Sequence, residues 1–252
     1  MLSLERQRRL LQHVRVHGSG NVLDLAEALG VSASTVRRDL REMDERGLLT
    51  RVHGGASVLD ADLEPVLSSR AADRSDEKRR IGQAAAARIP DGSTVLITGG
   101  TTTEAMLPYL AGFERLTVLT NGLNIAYHLA RYPEISVVVL GGVLRHAEMS
   151  LLGPIAEHVL AEFHVDVAFS SAFGVDPENG ISGANVTEAG TDRRMLQSAD
   201  RLVVLADSTK FGRRGPVRLA DVSQISCLIT DSDTPADSVD SLRSRGVEVV
   251  TC

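Results

Sequence analysis

Lysine is nearly missing from this chain: Lys78 and Lys210 stand beside 25 arginines in 252 residues. Cysteine is also scarce. Cys227 sits in an apolar, strand-like run and Cys252 ends the sequence, a spacing that fits neither a metal site nor a disulfide framework. No apolar run approaches the roughly 20 residues of a membrane span. Residues 1–12 are charged and lack a signal peptide's apolar core. A cytoplasmic protein with no membrane partner is expected. Two phosphate-binding fingerprints are absent as well: the Gly-Lys-Ser/Thr ending of a P-loop and the Gly-x-Gly-x-x-Gly of a dinucleotide fold. The seven histidines show no triad or metal spacing, so neither a metal nor a cofactor is expected.

What is present is a globular composition, 43% hydrophobic and 24% charged, with length enough for two domains. The net charge of −6 is unevenly spread. Residues 1–58 hold nine arginines against seven acids, a net +2, and the remainder nets −8. DNA-binding capacity is therefore expected in the first 58 residues alone. A domain of only +2 needs a second copy to double its phosphate contacts, so a homo-oligomer, dimer or tetramer, is expected.

Within those 58 residues a short amphipathic helix, Val22 to Leu29, runs into Gly30, and a second helix starts after Ser32. Ser32 is placed to cap it, its hydroxyl accepting a backbone N–H of the first turn. Val36, Leu40 and Met43 follow the i, i+4, i+7 spacing of one buried stripe. Turned away are Ser34, Thr35, Arg37, Arg38 and Arg41, hydroxyls and guanidinium groups of the kind that reach base edges and phosphates. Ala26, Gly30 and Val36 sit where a helix-turn-helix needs a small contact, a tight turn and a buried residue. Leu48 to Val52 reads as a strand, His53-Gly54-Gly55 as a turn, and Ala56 to Leu59 as a returning strand. Arg51 and His53 then lie at the tip of a wing, in reach of the DNA backbone.

Ser32-x-x-Thr35-x-Arg37-Arg38-Asp39-Leu40, followed by Gly47-Leu48-Leu49-x-Arg51-x-His53-Gly54-Gly55-Ala56, resembles the DNA-binding signature of the DeoR family of bacterial transcriptional regulators. The resemblance implies a winged helix-turn-helix over residues 1–58 with operator DNA as partner.

Residues 59–75 lack an apolar period and read as a linker. From 76 to 252 the chain alternates helices with apolar, β-branched strands: Thr94 to Thr98, Leu116 to Thr120, Ile135 to Leu140, Val165 to Ser171, Leu202 to Ala206, Ile225 to Thr230 and Val247 to Thr251. A helix is expected from Thr103 to Leu110, and a long loop from Phe173 to Ser182. This pattern implies a Rossmann-like, mostly parallel α/β sheet covered on both faces.

Ligands of such sheets bind beyond the carboxyl ends of the strands. Four of those ends are polar or glycine-rich: Gly100-Thr101-Thr102-Thr103, Thr120-Asn121, Gly141-Gly142 and Asp207 to Gly212. Glycine loops bring backbone N–H groups close to an anion, and threonines add neutral donors. Glu77-Lys78, Gly100-Thr101-Thr102, Thr120-Asn121, Gly141-Gly142, Gly174 and Asp207-x-x-Lys210-Phe211-Gly212 resemble the DeoR-type effector domain, itself similar to ribose-5-phosphate isomerases. The resemblance implies a phosphorylated sugar or related metabolite as effector. Gly100 to Thr103 would hold its phosphate, Thr120, Asn121, Gly141, Gly142 and Gly174 would line the site, and Lys210 would supply a cation. The family usually has an acid where Thr98 stands and a lysine where Asp192 stands, which leaves the effector's identity open. The protein is thus read as a repressor of carbohydrate genes. A sugar-phosphate isomerase-like enzyme fused to a DNA-binding module is the alternative, with Asp176, Glu178 or Glu188 as its base.

Overall fold

The stripe Val36, Leu40 and Met43 is buried in the computed structural model, which describes residues 3–17, 19–46, 48–52, 54–57 and 67–252. His53 and residues 58–66, which include the first eight residues of the expected linker, lie outside the described residues. The chain divides into two compact units, Met1–Arg70 and Ala71–Cys252.

In the first unit, α1 (Ser3–His17), α2 (Val22–Leu29) and α3 (Ala33–Glu45) enclose one core. Leu10, Val14, Leu25, Val36, Leu40 and Met43 are each at most 1% exposed there. Gly30 closes α2 at φ +63, donating to Ala26 and Glu27. No atom lies within 4 Å of where its Cβ would sit, so the left-handed backbone, not space, demands glycine. The wing is narrower than expected: β2 is Thr50–Val52 and β3 is Gly55–Ser57. Ser19–Asn21 is a strand, β1, that pairs antiparallel with β3 and makes a three-stranded sheet. A Cβ on Gly55 would stand 2.1 Å from the Gly20 carbonyl, which explains glycine at that crossing.

A six-residue helix, α4 (Leu67–Ala72), occupies part of the stretch expected as linker. In the second unit, α5 (Ser75–Ala86) precedes β4 (Thr94–Ile97), α6 (Thr101–Glu104), β5 (Thr117–Thr120), α7 (Leu123–Leu129) and β6 (Ser136–Val139). A hairpin absent from the sequence reading follows, β7 (Val143–Arg145) and β8 (Ser150–Leu152), then α8 (Pro154–Ala161) and β9 (Val165–Ser171). The expected long loop is instead a second hairpin, β10 (Gly174–Asp176) and β11 (Gly180–Gly183). After α9 (Ala189–Gln197) come β12 (Ala199–Leu205), β13 (Val217–Ala220), β14 (Cys227–Thr230), α10 (Ala236–Ser244) and β15 (Glu248–Thr251). The helix expected from Thr103 to Leu110 is split into α6 and a 3₁₀ turn, Leu107–Tyr109.

The main sheet is seven-stranded in the order β15-β14-β12-β9-β4-β5-β6, every pair parallel. Alternation along each strand feeds two cores. Val95, Ile97, Val167, Phe169, Val203 and Leu205 pack under α5 and α7. Leu96, Leu119, Ala168, Val204 and Leu228 pack under α8, α9 and α10. Such burial on both faces is why these strands read as continuous apolar runs. No described helix is long and apolar enough to cross a membrane.

Candidate functional site

Helix α3 begins as its sequence dictates. Ser32 is extended at φ −73, ψ 149, and its hydroxyl accepts the Thr35 N–H at 3.2 Å. The same oxygen is 2.8 Å from both the Ser34 and the Thr35 hydroxyls. Ser34, Arg37, Arg38 and Arg41 are exposed, and Thr35 is half-buried. No described residue pairs with the guanidinium of Arg37, Arg38 or Arg41. Two other arginines of the unit are engaged: Arg6 holds Asp39, and Arg46 donates to Gln7. The Arg51 side chain is exposed, while its backbone N–H donates to Asp44. Asp39 has a role the sequence reading did not give it. It is 2% exposed and takes two bonds from Arg6, which pins α3 to α1.

In the second unit, the parallel order brings all four polar strand ends to one edge. Strand order reverses between β4 and β9, the position where open α/β sheets take ligands. The loop leaving β4 meets the end of β9: Gly100 has φ +152, and a Cβ there would meet the Ser171 hydroxyl at 2.4 Å. The β7–β8 hairpin forms one wall of the edge. Leu151 N–H donates to the Asn121 carbonyl at 2.7 Å, and Leu123 N–H donates to that of Met149 at 2.8 Å. On the other side, Gly212 N–H donates to the Val175 carbonyl, joining the turn that carries Lys210 to β10.

Not every expected donor faces outward. The Thr103 hydroxyl donates to the Thr98 and Gly100 carbonyls, and Thr103 is fully buried. Thr120 is also fully buried, donating to the Ile97 carbonyl and accepting from Gly122 N–H. Asn121 Oδ1 accepts the Gly99 N–H at 2.9 Å. These three shape the loops from within. Thr101 stays half-buried, and Thr102 is 3% exposed. Gly142 and Gly174 serve close backbone crossings. A Cβ would stand 2.4 Å from the Leu152 carbonyl at the first and 2.2 Å from the Arg213 carbonyl at the second. Gly141 has φ +74. The sequence reading missed Ser171, and also Arg145, whose Nε lies 2.6 Å from Glu188 Oε1 in a largely buried ion pair.

Two of the three carboxylates weighed as a catalytic base are engaged within the fold. Burial alone would raise the Asp176 carboxyl. The N–H of Glu178, the side chain and N–H of Asn179, and Arg214 outweigh it and lower it from 3.8 to about 2. An acid held ionised by that many donors is a weak base at neutral pH. Its contribution to stability is full above about pH 4 and is lost as pH falls through about 2. Acid unfolding of Asp176→Asn should accordingly differ from wild type above that window and converge with it near pH 2. Equal stability at neutral pH would remove the role. Glu188 is engaged by Arg145 and Asn185, and Glu178 is exposed. The buried Cys227 thiol is pushed up to about 11 by desolvation, far from a reactive thiolate.

Two family models match the chain: the DeoR-like helix-turn-helix domain over residues 6–62 and the DeoR C terminal sensor domain over residues 73–232. The chain is 34% identical to a putative aga operon transcriptional repressor of Escherichia coli O157:H7, over 98% of this chain and 93% of that one. It is 34% identical to the HTH-type transcriptional repressor CsqR of Escherichia coli, over 97% and 94%. With the glycerol-3-phosphate regulon repressor of Escherichia coli it shares 28% identity over the whole of both chains. Among solved structures, a ribose 5-phosphate isomerase A from Methanocaldococcus jannaschii matches 55% of each chain at 19% identity and a TM-score of 0.42.

Proposed function

The chain belongs to the DeoR family of transcriptional regulators, and we propose that it represses carbohydrate genes as an oligomer and releases its operator when a phosphorylated sugar or related metabolite binds the sensor unit. The observation that carries this reading is a pairing within one chain. An arginine face without partners among the described residues occupies the first unit, and a glycine-threonine loop at the turning point of a parallel sheet occupies the second.

On the DNA side, Ser34, Thr35 and Arg37 reach base edges near the start of α3, and Arg38 and Arg41 take phosphates. Ser32 sets the helix start, and Arg51 and His53 meet the backbone from the wing. Two copies place two recognition helices on two half-sites. On the effector side, the N–H groups of Thr101, Thr102 and Thr103 come before the first bond of that turn, Glu104 N–H to the Gly100 carbonyl, and face the phosphate. Lys210 adds positive charge. The name of the glycerol-3-phosphate regulon repressor, a relative over the full chain, supports a phosphorylated ligand class. The ligand shifts DNA binding only through its difference in affinity for the bound and released forms.

The test uses an operator selected from random-sequence DNA. Arg37→Ala should weaken it by about 1–3 kcal/mol, roughly 5–150-fold. Unchanged affinity would remove Arg37 from the interface. A thermal-shift series of sugar phosphates against their free sugars tests the sensor, and a shift with free sugars alone would overturn the phosphate cradle.

A further inference from the structure

Three features meet at the start of the sensor unit that neither DNA binding nor ligand contact has used. Arg74 stands between α4 and α5 with φ +50, one of two described non-glycine residues at positive φ. Its Nε is buried and has no hydrogen-bond partner among the described residues. Its Nη2 meets three carboxylates: Asp233 at 2.9 Å, Asp231 at 3.3 Å and Glu77 at 3.4 Å. A strained backbone with an unpaired buried donor persists only where its surroundings hold it, and such points are common in switch regions.

Of these three carboxylates only Asp231, just beyond β14, is fully buried, and its Oδ1 also accepts the Asp233 N–H at 3.0 Å. Asp231 Oδ1 takes Arg74, and Oδ2 accepts the Ser208 N–H at 2.7 Å. Ser208 opens the 3₁₀ turn Ser208–Lys210, the same turn that presents Lys210. A second strut reaches the kink from α5: Lys78 Nζ donates to the Asp73 carbonyl at 2.7 Å. One carboxylate without exposure thus joins the Lys210 turn to the residue at which the chain, coming from residue 70, enters α5.

We propose that Arg74 and Asp231 are positioning residues that carry occupancy of the Lys210 turn to α4, the helix leading back to the DNA-binding unit. The proposal rests on the effector reading above. Movement of the turn draws the Ser208 N–H on or off Asp231, Asp231 resets Arg74, and the left-handed kink relaxes or tightens.

Ser208→Pro isolates the link. Position 208 is the first residue of its turn, where proline fits, and Asp207 already has the extended backbone, φ −71 and ψ 162, that precedes proline. The substitution therefore removes the one N–H that Asp231 accepts from the turn. In the full chain, amide hydrogen exchange over residues 67–74 should speed up tenfold or more, although the substitution lies far away in sequence. Unchanged exchange there would overturn the relay. Asp231→Asn should act in the same direction, and α10 serves as the reference for general loosening. A second readout uses glycerol 3-phosphate, ribose 5-phosphate and inorganic phosphate as probes. A probe that weakens wild-type operator binding should still raise the melting temperature of Arg74→Ala, while its effect on that variant's operator affinity falls severalfold. An equal effect in both proteins would also overturn the relay. If no probe moves wild type at all, the effector reading suffers, and the exchange result still decides the relay.

Discussion

Leu40→Ala is expected to abolish operator binding while the sensor unit stays folded. Leu40 is 1% exposed and lies on the inner stripe of α3, packed in the same core as Leu10, Val14 and Leu25. Truncating such a leucine costs about 2–5 kcal/mol, the transfer loss plus the cavity left behind. At 0.05–0.15 kcal/mol per residue, the unit Met1–Arg70 has roughly 4–10 kcal/mol in total. One truncation thus removes much of its stability, and the arginine face goes with it. Calorimetry should show the first unit's transition falling and the second's unchanged. Full-affinity binding by Leu40→Ala would mean that the stripe does not hold the recognition helix.

Gly142→Ala is expected to do the converse: to loosen the sensor unit and erase its response to ligand, with operator binding retained in the ligand-free protein. Two costs combine at this position. Gly142 has φ +115, and a Cβ would meet the Leu152 carbonyl oxygen at 2.4 Å. Backbone strain of that kind is about 1–3 kcal/mol. The clash is with main chain, so no side chain can turn aside, and the hairpin of β7 and β8 must move. That hairpin carries Arg145 to Glu188 and closes one wall of the candidate site. Gly112 separates the two effects, because it has φ +98 and nothing within 4 Å of its Cβ position. Gly112→Ala should show the strain alone. If Gly142→Ala melts no lower than Gly112→Ala, the close approach of the hairpin is not what needs glycine there.

Much of this molecule is legible in the order of its residues. Ser32 as cap, Gly30 as turn and the stripe of Val36, Leu40 and Met43 all depend on neighbours within one or two turns of helix. The strands of the parallel sheet are legible for a related reason: burial on both faces demands unbroken apolar, β-branched runs. The elements missed are short and take their form from distant partners. Ser19-Gly20-Asn21 has no apolar side chain to mark a strand, and pairing with Gly55 to Ser57 makes it one. Val217–Ala220 is a strand because β11, over thirty residues earlier, lies beside it.

For the candidate site the division is sharper. The sequence by itself determined that glycines and threonines follow the strands, and that an arginine-rich face opposes a buried stripe. Only the tertiary structure decided which polar groups are consumed inside the fold and which remain for a partner. Thr103 and Thr120 turn inward to carbonyls of neighbouring loops and strands, whereas the guanidiniums of Arg37, Arg38 and Arg41 have no described partner. Arg6 reaches Asp39 across 33 positions, and Arg74 reaches Asp231 across 157. Helix and strand periods are set by near neighbours along the chain. Hydrogen-bond partners of buried groups are set by strand order and helix packing, which bring distant positions within 3 Å or so and carry no local signature.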